Sequence, residues 1–274
     1  PDVSEEIEDP IDALFEEQWA LHNIGQSYHT GPDNTSTGSA DVDINFLETY
    51  KEVDYNKGEG VVVAVIDTGI SYTNEEIDDN LWINQSEIPV TLFSQIDDNS
   101  DGEVTSREIL TYIELVGMDV NLDGKYNFKD VLHPNSDFIN NIDEDGDGYT
   151  DDIIGYDFVV NEYEEDGILD LGSDSDPYDW HGHGTHVSGT IAAEANEIGI
   201  IGIAPKAKIM SLRGLNSYGG GSIADLIDSV YYAANHGADI TNNSWGGGGS
   251  YQPLSDAFDY ADSMGTVSVA ASGN

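Results

Sequence analysis

Cysteine is absent from the 274 residues, which excludes disulfides and thiol chemistry while leaving the redox compartment open. Basic residues are almost as scarce: 8 Lys and Arg stand against 54 Asp and Glu, a formal net charge of -46. Such a surface repels nucleic acid and anionic membrane, so neither is an expected partner. No apolar run approaches the ~20 residues of a membrane span. There is no initiator Met and no charged-then-apolar leader, and Pro1 reads as a processed or engineered start.

What remains is enough to build a core. Hydrophobic residues make up 38% of the chain, with Ile, Val and Tyr in patterned runs, which argues against the disorder that so acidic a composition otherwise suggests. The length suits one large domain or two small ones. Because the surface repels itself, cations are expected to hold the compact state, through calcium loading, a salt-rich habitat, or both.

An acidic lead-in occupies residues 1–12, followed by an amphipathic stretch around Leu14 to Leu21 and a Gly/Pro/Ser/Thr/Asn-rich loop from Thr30 to Ser39. "INFLETYKEV" (44–53) reads as helix, and "GVVVAVIDTGI" (60–70) as a fully apolar strand that breaks into a turn after Asp67. A long acidic section runs from about 78 to 180. Beyond it, helices at His183 to about Ala195, Ser222 to His236 and Pro253 to Met264 alternate with strands at 207–213, 238–244 and 266–271. Apolar strands alternating with helices of this length predict an α/β fold, a doubly wound parallel sheet with helices on both faces. Functional groups of such folds gather at the carboxyl ends of the strands, where Asp67 and Asn274 stand.

"DWHGHGTHVSGT" (179–190) places His181, His183 and His186 within six positions. A zinc reading resembles an H-x-H-x-D-H signature, but Thr185 occupies the position that needs a carboxylate. A plain glycine-rich helix start is a second reading. The third is a catalytic histidine in the first turn of a helix. "VVAVIDTGI", "HGTHVSGTIAA", "NNSWGG" and "VAASGN", in this order, closely resemble the subtilisin-like serine proteases (subtilases) of bacterial type. The resemblance runs from about Asp12 to Asn274, apart from an insertion.

That resemblance implies a role for each matching residue. Asp67 would be the triad carboxylate and His183 the general base, then the acid for the leaving amine. Asn274 would be the oxyanion donor. Ser244, Trp245 and Gly246, with Ala271, Ser272 and Gly273, would form the two walls of the primary specificity pocket. Gly219, Gly220 and Gly221 would be the edge segment that pairs with substrate backbone. His186 would be structural and His181 a loop residue. The family's nucleophile lies in a Gly-Thr-Ser motif beyond the oxyanion Asn, and no Gly-Thr-Ser occurs here. The expectation is that residues 1–274 are the N-terminal portion of a subtilisin-like catalytic domain, the C-terminal part of the fold being absent from this chain. A second chain produced by cleavage after Asn274 would carry the serine; a shortened chain is the alternative.

The acidic insertion, residues 90–142, has its own pattern. "DDNSDGEVTSRE" fits the EF-hand calcium loop with Asp97, Asn99, Asp101, the Glu103 carbonyl and Glu108 at position twelve. "DVNLDGKYNFKD" repeats it with Asp119, Asn121, Asp123, the Lys125 carbonyl and the shorter Asp130. "SREILTYIELVG" between them reads as one shared helix. A third run, "DEDGDGYTDD", offers Asp143, Asp145, Asp147 and the Tyr149 carbonyl, closed by Asp151 or Asp152; solvated acidic turns are the simpler reading of all three. A fourth site follows from the resemblance alone: Asp12, Glu76 and Asn196. Three or four Ca2+ ions are therefore expected.

The function this implies is a secreted, calcium-dependent serine endopeptidase acting on polypeptides through an acyl-enzyme, with an inhibitory propeptide as a further expected partner. Within the family the rival is a convertase-type enzyme cutting after basic residues. From other classes the rivals are a calcium-binding adhesion or docking module and an inactive subtilase-fold platform.

Overall fold

The computed structural model describes residues 10, 12–31, 34–52, 55–160, 162–163, 169–170 and 172–273. Two antiparallel strands, β1 (Ser27–Gly31) and β2 (Asn34–Thr37), come first, then the short helix α1 (Phe46–Tyr50). Most of the stretch expected as a loop at 30–39 is thus a hairpin. Thr35 and Thr37 are β-branched and suit such a ladder, a signal masked by the turn-forming residues around them.

The apolar run after Gly60 becomes β3 (Val62–Asp67). Three helices follow in the acidic section: α2 (Val90–Ile96), α3 (Ser106–Val116) and α4 (Phe128–Val131). Next come β4 (Gly155–Asp157) and a small pair, β5 (Glu162–Tyr163) with β6 (Leu169–Asp170). The remainder alternates as the spacing predicts: α5 (His183–Ala192), β7 (Lys208–Arg213), α6 (Ile223–Asn235), β8 (Ile240–Asn243), α7 (Gln252–Met264) and β9 (Val267–Ala270).

Among the described residues the main sheet has five parallel strands in the order β4-β7-β3-β8-β9. β4 was not legible as a strand; three residues beside an acidic loop give no periodicity to read. β3 is central, and its side chains alternate between two cores, as a pleated strand requires. Val63 and Val65 join one cluster, Ala64 and Ile66 the other. The second cluster is closed by Leu226, Val230 and Ala233 of α6 and Ala257 and Ala261 of α7. Helices therefore cover both faces, and no described helix is long and apolar enough to cross a membrane.

The first cluster explains how the acidic section folds. Ile109 and Ile113 of α3, Phe128 and Val131 of α4, and Phe138 are fully buried in the same cluster as Val63, Val65 and Ile209 of the sheet. α3 starts with a capping box, in which the Thr105 hydroxyl accepts from the Glu108 N–H while the Glu108 carboxylate accepts from the Thr105 N–H, and it ends at Gly117. At the far edge, Val267 and Val269 of β9 are 60% and 50% exposed.

Candidate active site

β3 ends at Asp67, and α5 begins at His183. Thr68 and Gly184 hold the two together, the Gly184 N–H donating to the Thr68 hydroxyl at 2.9 Å. The approach is so close that a Cβ on Gly184 would lie 2.2 Å from the Gly69 carbonyl oxygen, which leaves room for glycine alone. The result is a bond of 2.7 Å between His183 Nδ1 and Asp67 Oδ1. Asp67 is fully buried, and the same oxygen accepts the Thr68 N–H at 2.8 Å. Its other oxygen, Oδ2, has no hydrogen-bond partner among the described residues. Facing a carboxylate, Nδ1 carries the ring proton, which leaves the Nε2 lone pair of a side chain that is 45% exposed.

Asp179 organises this junction. Its Oδ1 accepts from the Thr68 hydroxyl and from the N–H groups of His181 and Gly182, and its Oδ2 accepts from Thr185 N–H and hydroxyl at 2.9 and 2.6 Å. Thr185, at the position where a zinc site needs a carboxylate, is thus a hydrogen-bond partner of Asp179. Asp179 was not among the sequence-derived site residues, although an Asp just ahead of a glycine-rich helix start is a capping signal. His186, expected to be structural, is instead exposed on the next turn.

Ser244, Trp245, Gly246, Ala271, Ser272 and Gly273 line one open cavity of about 720 Å³, with the Trp245 Nε1–H donating to the Ile66 carbonyl at 3.0 Å. Gly219–Gly221 form the turn before α6, held by the Gly220 carbonyl accepting from Asn216 N–H at 2.7 Å. A Cβ on Gly219 would stand 3.2 Å from His181 Nε2, so His181 lies against this edge. Asn274 lies outside the described residues.

The three acidic loops share one backbone design. In each, the first Asp accepts the N–H groups of positions five and six: Asp101 and Gly102 on Asp97, Asp123 and Gly124 on Asp119, Asp147 and Gly148 on Asp143. In each, position three also accepts from position five, and position five from position seven: Asn99, Asn121 and Asp145, then Asp101, Asp123 and Asp147. Glu103, Lys125 and Tyr149 are the donors at position seven, which leaves their carbonyls for other use. The donor sets are all-oxygen and carboxylate-rich, as calcium requires.

The residues that would close each loop differ. Glu108 uses Oε2 in the capping box and leaves Oε1 buried without a hydrogen-bond partner among the described residues. Asp130 accepts from the N–H groups of Val120, Asn121 and Asn127. In the third loop that service comes from Glu87, whose Oε1 accepts from Glu144 and Asp145 N–H and whose Oε2 accepts from Asp151 N–H. Burial pushes Glu87 up to about 7 in spite of those donors. Asp152, also pushed up to about 7 by burial, is held by the Tyr232 hydroxyl and the Asn84 amide, while Asp151 accepts from Asn140 and Asn141 N–H. Glu87 stands 57 residues from Glu144, and no local pattern connects them.

Asp12, Glu76 and Asn196 also meet. Asp12 Oδ1 accepts the Asn196 N–H at 3.0 Å, and Glu76 Oε2 accepts the Ile200 N–H at 2.9 Å. The remaining oxygens, Asp12 Oδ2 and Glu76 Oε1, are buried without a partner among the described residues. Burial raises the Glu76 carboxyl; the Ile200 N–H opposes this rise and the Asp12 charge adds to it. Two orphaned carboxylate oxygens on side chains whose charges feel one another fit a divalent cation.

Comparison with known proteins agrees with this geometry. Residues 58–274 match the family model described as the Subtilase family. Over 123 residues the chain is 42% identical to a thermophilic serine proteinase of Bacillus sp. (strain AK1), covering 44% of this chain and 28% of that protein. It is 41% identical over 96 residues to subtilisin DY of Bacillus licheniformis, covering 35% of each. Against subtilisin Savinase of Lederbergia lenta it is 42% identical over 96 residues, 35% of this chain and 36% of that protein. The match spans about a third of the length of these relatives.

Proposed function

The chain belongs to the subtilase family, and from that premise we propose that it is the N-terminal portion of the catalytic domain of a secreted, calcium-dependent serine endopeptidase. The observation that carries this reading is the 2.7 Å bond from His183 Nδ1 to the buried Asp67. It leaves Nε2 as the base. Nε2 takes the proton of a seryl hydroxyl as that oxygen attacks the peptide carbonyl, and later gives it to the leaving amine. Asp67 keeps the ring in the required tautomer and stabilises the imidazolium between those steps.

The nucleophile is assigned to residues outside this sequence, in a Gly-Thr-Ser segment on a second or continuing chain, because none of the 274 residues forms that motif. Asn274 is assigned to the oxyanion, a contribution of about 10²–10³ in rate for such a donor. The cavity between Ser244–Gly246 and Ala271–Gly273 suits the side chain preceding the cut, and Gly219–Gly221 suit its extended backbone.

Calcium is assigned to four places: the Asp97–Glu108 loop, the Asp119–Asp130 loop, the Asp143–Asp152 loop with Glu87, and the Asp12/Glu76/Asn196 cluster. Bound there it would supply positive charge to the clustered carboxylates, among them Glu76, Glu87 and Asp152, whose burial opposes ionisation. On this reading residues 90–142 are a calcium-binding insertion fused to the catalytic core. A fluorophosphonate probe tests the enzyme reading on protein assembled with its Gly-Thr-Ser segment. One label per molecule is expected, and none in His183→Ala. Absence of labelling in the folded wild-type assembly would overturn the reading.

A further inference from the structure

The third acidic loop has a neighbour that the first two lack. His236 caps the C-terminus of α6, and its Nδ1 lies 2.9 Å from the Tyr232 carbonyl. A carbonyl only accepts, so Nδ1 carries the proton, and Nε2 of the neutral ring is a bare lone pair. That lone pair faces acceptors alone: Asp147 Oδ2 at 2.9 Å and Asp152 Oδ2 at 3.8 Å. The imidazole is only 10% exposed, stacked on Tyr232 at 3.8 Å between ring centroids and met edge-on by Trp82. Asp145, Asp147 and His236 each bring one ligand atom within 4.8 Å of the others.

A lone pair pressed against carboxylate oxygens needs a cation between them, either a proton or a metal. The ring is oriented as metal-bound histidines are, with the far nitrogen tied to a backbone carbonyl. Calcium takes oxygen ligands, whereas imidazole suits zinc and its neighbours. In the first two loops the position-five carboxylates Asp101 and Asp123 are exposed and form no ion pair with histidine among the described residues. We infer that the third loop, through His236, Asp145 and Asp147, binds a divalent transition metal of the zinc class in competition with calcium. The inference rests on the third loop being a metal site and is independent of the protease chemistry.

The test is titration of the metal-stripped protein with Zn2+, with and without saturating Ca2+, in wild type and in His236→Gln. Calorimetry gives affinity, metal analysis after dialysis gives retained Ca2+, and 15N spectra of the imidazoles report on wild type without any substitution. One Zn2+ equivalent should shift the His236 Nε2 resonance and displace one Ca2+, with affinity about 10-fold or more weaker in His236→Gln. A His236 resonance unmoved by Zn2+, or equal zinc affinity in the variant, overturns the inference; the metal is then at other histidines, or a proton fills the gap. Zinc binding at His236 with no calcium displaced would overturn the competition, and if no calcium binds at all it would overturn the calcium reading with it.

Discussion

The Thr68 hydroxyl donates to Asp179 at 2.9 Å and accepts from Gly184 N–H at the same distance, so one side chain fastens the strand bearing Asp67 to the helix bearing His183. Asp179→Ala would strand the donors of Thr68, His181, Gly182 and Thr185 together. Buried unsatisfied donors cost about 1–3 kcal/mol each, and some would find water. The expected outcome is a loss of several kcal/mol in denaturant unfolding, with turnover falling further than binding as His183 loses its placement. Unchanged kinetics would show that the helix start is fixed by other contacts.

His183→Ala should lower turnover at least about 10⁴-fold with the fold intact. His186→Ala should shift stability by no more than about 0.5 kcal/mol, since the side chain is exposed on the following turn. Circular dichroism and steady-state kinetics on the two variants check both statements. Equal losses restored by zinc would favour a metal mechanism.

Removal of calcium should destabilise the protein strongly at low ionic strength, where 54 acidic side chains are least screened. An ion present at 100 times its Kd adds about 2.7 kcal/mol. Each site emptied by chelator should then lower Tm by roughly 5–10 °C in calorimetry. A melt unaffected by excess chelator in dilute buffer would end the calcium proposal.

Substitutions in the loops should differ according to what lies behind them. Glu87→Gln removes one of two buried acceptor oxygens that hold three backbone N–H groups, and should cost about 1–3 kcal/mol even without metal. Asp101→Asn, on the exposed rim of the first loop, should cost less than 1 kcal/mol in chelator and show its effect through lost calcium affinity. Paired chemical melts with and without calcium separate the two.

Gly184→Ala is the sharpest steric test. With the Gly69 carbonyl 2.2 Å from the added carbon, helix and strand must part, at about 1–3 kcal/mol. The separation should also lengthen the bond from His183 to Asp67. Loss of activity larger than loss of stability is the expected signature.

What could be read from the sequence was whatever repeats along it. β3, β7 and α6 declare themselves through alternation or helical spacing, and the structure places them within a few residues of expectation; the three acidic loops declare themselves through an Asp-x-Asp/Asn-x-Asp-Gly pattern. Asp67 and His183 were found because each sits in a contiguous motif. Glu87, His236 and Asp179 escaped for the converse reason: their partners are supplied by folding. His236 read as the end of a helix, and nothing in "YYAANHGAD" announces that Asp147 lies 2.9 Å away. The pairing of β1 with β2 was hidden because the Gly, Pro, Ser and Asn content of the stretch outweighed Thr35 and Thr37.

Because α3 and α4 share their apolar cluster with the underside of β3, the acidic section has no seam along which it could be shed. A protease that cuts one of its loops would release no stable remnant, for the helices on either side of the cut still fill the space beneath Val63 and Val65. Proteolytic nicking in this region should therefore leave the native fold in place while the pieces stay docked, and unfolding should then take the whole molecule at once. A native gel should show a single species after such a cut, and a denaturing gel should show the nicked pieces.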